Sequence, residues 1–244
     1  MAKEFKVPSR KQPIFKVVRK ILSWTIWRSI KVTVLPEKID DRSILISNHY
    51  AKVGPMAYEI ALPVFNVKWG AHEMLGNYRS RRNYLKNVFY IQKQGMSKGK
   101  AAFKATFEAV FSKMIYKGMK LIGTYPDGRL RETLRNSIKI LEDNKAILIF
   151  PENSNEGYFD VMTSFFSGFV MLSEQYYRLH KVDLPVYPIY YNHKLRRMVV
   201  GYPSYVQQLY KEGLTREGVA DYFCNEVNKL YYEYFDEDVK KLKK

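Results

Sequence analysis

Short apolar runs alternate with longer amphipathic stretches along most of this chain. The clearest run, 146–150, contains no polar residue and is typical of a strand in a sheet that is covered on both faces. Because strands and helices alternate, the pattern predicts an α/β fold with a mostly parallel central sheet flanked by helices. The predicted strands are 31–35, 43–47, 64–69, 120–125, 146–150, 184–191 and 197–201, and the predicted helices are 55–62, 101–117, 132–142, 165–179 and 215–235.

Residues 1–30 form a basic N-terminal segment, and residues 31–244 are predicted to form one domain. Within the segment, apolar residues recur at helical spacing from Ile14 to Ile26, with tryptophans beside them. Arg19, Lys20 and Arg28 interrupt the run, so a membrane-spanning helix is not expected. We expect an amphipathic helix in the interface of an anionic bilayer; the alternative is a surface helix packed on the domain.

The helix predicted at 101–117 places five large apolar side chains on one face. They are Phe103, Phe107, Val110, Phe111 and Met114.

A formal charge of +17 indicates a polyanionic partner, which composition alone does not identify. Nucleic acid, an anionic membrane surface and a phosphorylated or CoA-like substrate all fit. The single cysteine, Cys224, cannot form an internal disulfide, and no cysteine and histidine cluster has zinc-ligand spacing, so no metal site is expected.

Two chemically capable residues follow predicted strands. His49 comes directly after the apolar run 44–46, and Glu152 follows the strand at 146–150. In an open α/β sheet, ligands collect at the carboxyl ends of the strands, so both residues are placed for a site. A histidine with a pKa near its usual value of about 6.5 can take a proton from a hydroxyl. The alternative is that His49 only hydrogen-bonds the turn.

The order of short motifs resembles that of the glycerolipid acyltransferases, which include the lysophosphatidic acid acyltransferases. The resemblance covers roughly residues 28–235, with motifs at plausible spacing on the predicted strand ends. Asn48-His49 and Gly54-Pro55 resemble the two parts of the family's first block, Phe150-Pro151-Glu152 resembles the third, and Pro185-Val186-Tyr187-Pro188-Ile189 resembles the fourth.

The resemblance implies transfer of a fatty acyl group from acyl-CoA or acyl-carrier protein to the hydroxyl of a lysophospholipid-like acceptor. It implies that His49 is the general base and that no metal or other cofactor is needed. It further implies membrane phospholipids as partners, no nucleic acid, and a peripheral location on the cytoplasmic face of the membrane. Residues 31–244 would then be an acyltransferase-like domain, in which 76–110 looks like an insertion.

The chain departs from the family pattern at several positions. Gly54 stands where the family has the aspartate that orients the histidine, so another carboxylate is needed: Glu59, Glu152 or Asp127. The best match to the second block is 121–129, and a competing match at 89–93 puts Lys93 in the place of a phosphate-binding arginine. The candidate catalytic residues are His49 and Glu59, and the candidate substrate-binding residues are Glu152, Ser154, Asn155, Arg129 and Arg131.

Three functions therefore compete. The first is a membrane-associated acyltransferase. The second is a catalytically degenerate protein of the same fold that binds lipid or a partner. It is motivated by Gly54 and by the altered third block, in which Asn153 replaces a glycine and Asn155 replaces the phosphate-binding arginine of the family. The third is a basic nucleic-acid-binding domain, for which no recognised motif is present.

Overall fold

The computed structural model describes residues 5–9, 16–17, 19–21, 24, 30–49, 53–125, 127–153 and 159–242. Within these ranges, eight strands form one sheet. They are β1 (Lys31–Val34), β2 (Ile44–Ser47), β3 (Asn66–Ala71), β4 (Leu121–Thr124), β5 (Ala146–Ile149), β6 (Pro185–Asn192), β7 (Arg197–Val200) and β8 (Ser204–Tyr205). Their order is β1-β7-β6-β2-β5-β3-β4, with β8 beside β6.

The mostly parallel sheet predicted from the sequence is confirmed. Strand β2 lies between β5 and β6 and runs parallel to both. The exceptions are β7 and β8, which pair with β6 in the antiparallel direction. All residues of β2, β5 and β6 are buried, which explains why these strands read as nearly continuous apolar runs.

Helices cover both faces of the sheet. They are α1 (Val53–Ala61), α2 (Tyr78–Tyr84), α3 (Lys98–Gly118), α4 (Leu130–Glu142), α5 (Gly168–His180), α6 (Val206–Lys211), α7 (Arg216–Tyr234) and α8 (Asp236–Leu242), with a 3₁₀ turn at His72–Leu75 and a π-helical segment at Leu85–Gln92.

Alternation along β2 divides the core into two layers. Ile44 and Ile46 join a cluster with α4, α5 and α7, whereas Leu45 joins one with Tyr58 of α1 on the opposite face. Each strand of the centre therefore has a helix above and below, and its carboxyl end is left open to form a site.

The connection from β3 to β4 is long because it builds a helical layer of its own. It contains the 3₁₀ turn, α2, the π-helical segment and α3, and it includes the range 76–110. Helix α3 packs inward through its small residues Ala101, Ala105 and Ala109. The five large apolar side chains of the other face, predicted to share one side, all point outward.

Several elements of the described ranges were not predicted from the sequence: the 3₁₀ turn, α2 and the π-helical segment in the β3–β4 connection, and then β8, α6 and α8. The last of these contains Lys240, whose ammonium pairs with Asp236 at 2.7 Å, so the C-terminal basic stretch begins inside a helix. The N-terminal amphipathic helix lies mostly outside the described residues. Among the helices of the described ranges, none is long and apolar enough to cross a membrane.

Candidate active site

The turn after β2 is anchored by Asn48, a role that the sequence did not indicate. Its Oδ1 accepts a hydrogen bond from the amide of Tyr191 at 2.9 Å, and its Nδ2 donates to the carbonyl of the same residue at 3.0 Å. Asn48 is buried, and its side chain thus continues the pairing of β2 with β6 by one step. The main chain turns away from the sheet at this point, and the anchored side chain of Asn48 fixes the position of the next residue, His49.

His49 lies half-buried at the floor of the site. Its ring meets the ring of Phe150 edge-on, with centroids 5.0 Å apart, and its Nδ1 is shielded from solvent. Burial, together with the positive charge of Lys93, lowers the pKa of His49 to about 4. The imidazole is therefore neutral at neutral pH, which is the form that can accept a proton.

Glu152 is the carboxylate that the structure joins to His49. It follows β5, the strand adjacent to β2, and its Oε2 accepts a hydrogen bond from the backbone amide of His49 at 2.9 Å. Burial raises the pKa of Glu152 to about 7, although the His49 amide and Lys93 both favour the charged form. The ends of β2 and β5 thus meet through a hydrogen bond between the His49 main chain and the Glu152 side chain.

Lys93 supplies the positive charge of the site. It directly follows the π-helical segment, and it lines the same cleft as His49 and Glu152. Burial lowers the pKa of Lys93, while Glu152 opposes that change. The competing sequence match, which put a lysine in the place of a phosphate-binding arginine, thus falls on a residue that faces the candidate base.

A cleft of about 770 Å³ opens over these residues at the carboxyl ends of β2, β3, β4 and β5. Ser167 and Gly168, at the beginning of helix α5, form part of one wall of the cleft. A smaller chamber of about 90 Å³ adjoins it and shares His49 and Lys93. The apolar residues of that chamber include Pro55, Trp69, Met74, Leu85, Phe89 and Phe150. The site therefore offers an apolar recess directly beside the imidazole.

Glu59 has partners other than those predicted for it. Its carboxylate accepts hydrogen bonds from Lys68 at 2.6 Å and from Lys120 at 2.5 Å, and all three side chains are buried. Burial by itself would raise the pKa of Glu59, but the two ammonium groups lower it below its usual value. Glu59 is not among the described residues that line the cleft. Glu59 therefore fastens α1 to the sheet and is not one of the proposed catalytic residues.

Arg129 and Arg131 are exposed to solvent. The guanidinium of Arg129 pairs with Asp127 at 2.7 Å and stacks over Tyr125 at 4.4 Å, and this pairing lowers the pKa of Asp127 to about 2. Asp127 and Tyr125 line the outer end of the cleft, whereas neither arginine is among its described lining residues. The second block therefore contributes Tyr125 and Asp127 to the cleft, while its two candidate arginines lie outside the described lining.

The outer end of the cleft also contains His72, which the sequence did not single out. Its Nδ1 lies 3.2 Å from the carbonyl of Thr124 and 3.2 Å from the carboxylate of Glu73, and its ring stacks on Tyr125. His72 directly follows β3, so the signal that indicated His49 and Glu152, a polar residue at the end of a strand, also applies to it.

Two predicted substrate-binding residues, Ser154 and Asn155, lie outside the described residues. Gly54 is buried in the first turn of α1. Within the described part of the chain, no group of three or more histidine, cysteine, aspartate or glutamate side chains is placed to hold a metal ion.

Comparisons with known proteins give a likeness of fold but not of family. No protein-family model matches the chain. No curated protein matches it either. Among solved structures, the chain is similar to the 1-acyl-sn-glycerophosphate (LPA) acyltransferase PlsC from Thermotoga maritima, with a TM-score of 0.49 and 13% sequence identity over 93% of this chain and 84% of that chain. A likeness of this degree says nothing about substrate or mechanism.

Proposed function

We propose that the chain transfers an acyl group from a thioester to a hydroxyl acceptor, with His49 as the general base. The observation that carries the proposal is a neutral imidazole at a strand end, facing a cleft and joined through its own amide to the carboxylate of Glu152. The motif order of the sequence suggests the reaction class, and an imidazole, a carboxylate and an ammonium group that line one cleft support the proposed roles.

The proposed step begins with the acceptor hydroxyl near His49. The hydroxyl oxygen attacks the thioester carbonyl carbon and forms the new C–O bond, while its proton passes to the imidazole. The C–S bond then breaks, and the leaving thiolate takes the proton back from the imidazolium. Because the acceptor itself is the nucleophile, no serine or cysteine of the protein is needed.

Glu152 and Lys93 have complementary roles in this proposal. An ionised Glu152 next to the His49 amide favours the imidazolium that forms during the step. The ammonium of Lys93 favours negative charge in the cleft, either on the thioester oxygen in the transition state or on a phosphate of a substrate. The adjoining apolar chamber is suited to the first carbons of an acyl chain.

The substrates follow from this chemistry as part of the proposal. The donor is acyl-CoA or an acyl-carrier protein, and the acceptor is a lysophospholipid-like molecule. Such an acceptor resides in a membrane, so the proposed location is peripheral, on the cytoplasmic face. No cofactor takes part in the proposed step.

Gly54 motivates a second candidate, a degenerate acyltransferase-like protein that binds lipid or a partner without turnover. Loss of the orienting carboxylate in a serine-protease triad lowers turnover by about 10⁴.

A purified chain should be incubated with acyl-CoA or acyl-carrier protein and a lysophospholipid in micelles, and the diacyl product measured by mass spectrometry. We expect product from the natural chain and faster turnover from Gly54→Asp, with Gly54→Asn as the uncharged control. If the Gly54→Asp variant forms product and the natural chain forms none, the natural chain is the degenerate, non-catalytic protein of the second candidate.

A further inference from the structure

Helix α3 exposes a continuous aromatic face to solvent. Phe103, Phe107 and Phe111 are 67%, 59% and 63% exposed, and Val110 and Met114 extend the same face toward the end of the helix. The rings of Phe103 and Phe107 pack on one another with centroids 4.8 Å apart. Single exposed apolar residues are ordinary, but five on one face of one helix form a patch of the kind that marks an interaction surface.

This orientation of α3 is fixed by its opposite face. Ala101, Ala105 and Ala109 lie roughly across the helix from the phenylalanines and pack on the π-helical segment, because small side chains allow close approach between helices. Arg81 of α2 is buried against the same side. Its guanidinium donates to the carbonyl of Ala109 at 3.1 Å and to Ser112 at 3.1 Å. Rotation that would bury the aromatic face would break these contacts.

Basic side chains border the aromatic face. At about 100° per residue, Lys104 lies on one side of the phenylalanines and Lys113 and Lys117 lie on the other. The acidic residue of the helix, Glu108, accepts a hydrogen bond from Tyr90 at the edge of the patch. The apolar face runs from Phe103 to Met114, so at 1.5 Å per residue it extends for roughly 17 Å along the helix.

We propose that the aromatic face of α3 docks onto an anionic lipid bilayer, with the helix lying in the plane of the interface. Aromatic and apolar side chains enter the boundary between headgroups and acyl chains, while the flanking lysines extend to the lipid phosphates. The basic charge of the chain, +17, complements such a surface. The proposed surface belongs to helix α3, and its docking does not depend on the chemistry of His49.

The patch is also close to the cleft. Phe89 of the π-helical segment lines the inner chamber and packs against the alanine face of α3. One helical layer thus separates the proposed membrane surface from the candidate active site.

The test is a vesicle co-sedimentation titration with the full chain, using vesicles of phosphatidylcholine with or without phosphatidylglycerol. Phe103→Ser, Phe107→Ser and Phe111→Ser together should weaken binding to anionic vesicles at least ~1,000-fold, because each buried phenylalanine contributes about tenfold or more. The matched control replaces Leu179, Tyr202 and Tyr232, which are also exposed, by serine. It should bind like the natural chain, as should His49→Gln.

A measurement of how deeply α3 enters the bilayer distinguishes direct docking of this helix from an indirect effect of the serine substitutions elsewhere in the protein. A fluorescent probe on Val110→Cys, in a Cys224→Ala background, should shift to the blue on anionic vesicles, and a probe on exposed Lys229→Cys should not. Three results would overturn the proposal: equal binding by the triple phenylalanine variant, an equal loss in the control triple, or no shift at 110. A dimer of the natural chain that the triple variant abolishes would also overturn it, by assigning the face to a second copy.

Discussion

Replacement of Glu59 by glutamine separates the structural role of this residue from the catalytic one that its sequence position suggests. The change removes the negative charge that lies between the ammonium groups of Lys68 and Lys120 while keeping the shape of the side chain. Lys68 is fully buried and Lys120 nearly so, so both cations lose a partner that water does not replace. Removing one partner of such a buried ionic group costs about 3–5 kcal/mol of stability.

The loss should depend on pH with a definite sign. In the natural chain, burial lowers the pKa of Lys68 to about 8 despite the presence of Glu59. Without the carboxylate this pKa falls further, while the unfolded chain keeps the usual lysine value near 10.5. Between these values the unfolded state binds more protons than the folded state, so the stability of the variant rises as the pH is increased from 7 to 10.

Urea unfolding at pH 7 and pH 9.5, followed by circular dichroism, measures both effects. Glu142→Gln is the matched control, because its ion pair with His180 is partly exposed and should contribute less than about 1 kcal/mol. A Glu59→Gln chain that is within about 1 kcal/mol of the natural one, yet has lost acyl transfer, would refute the structural assignment.

Two further substitutions address the site. Asn48→Ala should lower stability by about 2–4 kcal/mol, because two buried backbone groups of Tyr191 lose their partners, and should also reduce turnover; unchanged urea unfolding would contradict this. If ionised Glu152 assists the reaction, kcat/KM should rise through pH 7, and Lys93→Met should move that rise to higher pH, because the lysine lowers the pKa of Glu152. The exposed Lys139→Met should leave the profile in place, and a Lys93→Met profile that moves to lower pH would argue against the assignment.

The strands and the placement of His49 and Glu152 could be predicted from sequence because their signals are local. Buried parallel strands must be apolar along their whole length, so β2 and β5 are visible as runs, and the polar residues after them mark strand ends. That these two ends meet follows from β2 and β5 being neighbours, which the alternation of strands and helices makes plausible but does not fix.

The partners of Glu59 could not be predicted in the same way. The sequence places it ten residues after His49, but the lysines that hold it come from β3 and from the residue before β4. Which side of α1 faces the sheet, and which strand lies beneath it, are decided by tertiary packing.

Helix α3 shows a related limit of prediction from sequence, which concerns the face of a helix that is buried. Helical spacing reveals that its phenylalanines share one face, and the simplest interpretation of such a face is that it packs inward. Here the alanines pack inward instead, because a neighbouring helical segment approaches closely and Arg81 is bound to the backbone on that side. Periodicity finds the faces of a helix, whereas the size of the available space decides which one is buried.

The most direct test of the central claim is the rate of acyl transfer by His49→Gln, compared with His180→Gln as a partly exposed histidine distant in sequence. General-base catalysis contributes about 10²–10⁴-fold, so kcat/KM of His49→Gln should fall by at least about 100-fold while its urea unfolding midpoint changes little. His180→Gln should retain the natural rate. A His49→Gln chain that transfers acyl groups as fast as the natural one would contradict the assignment of His49 as the base.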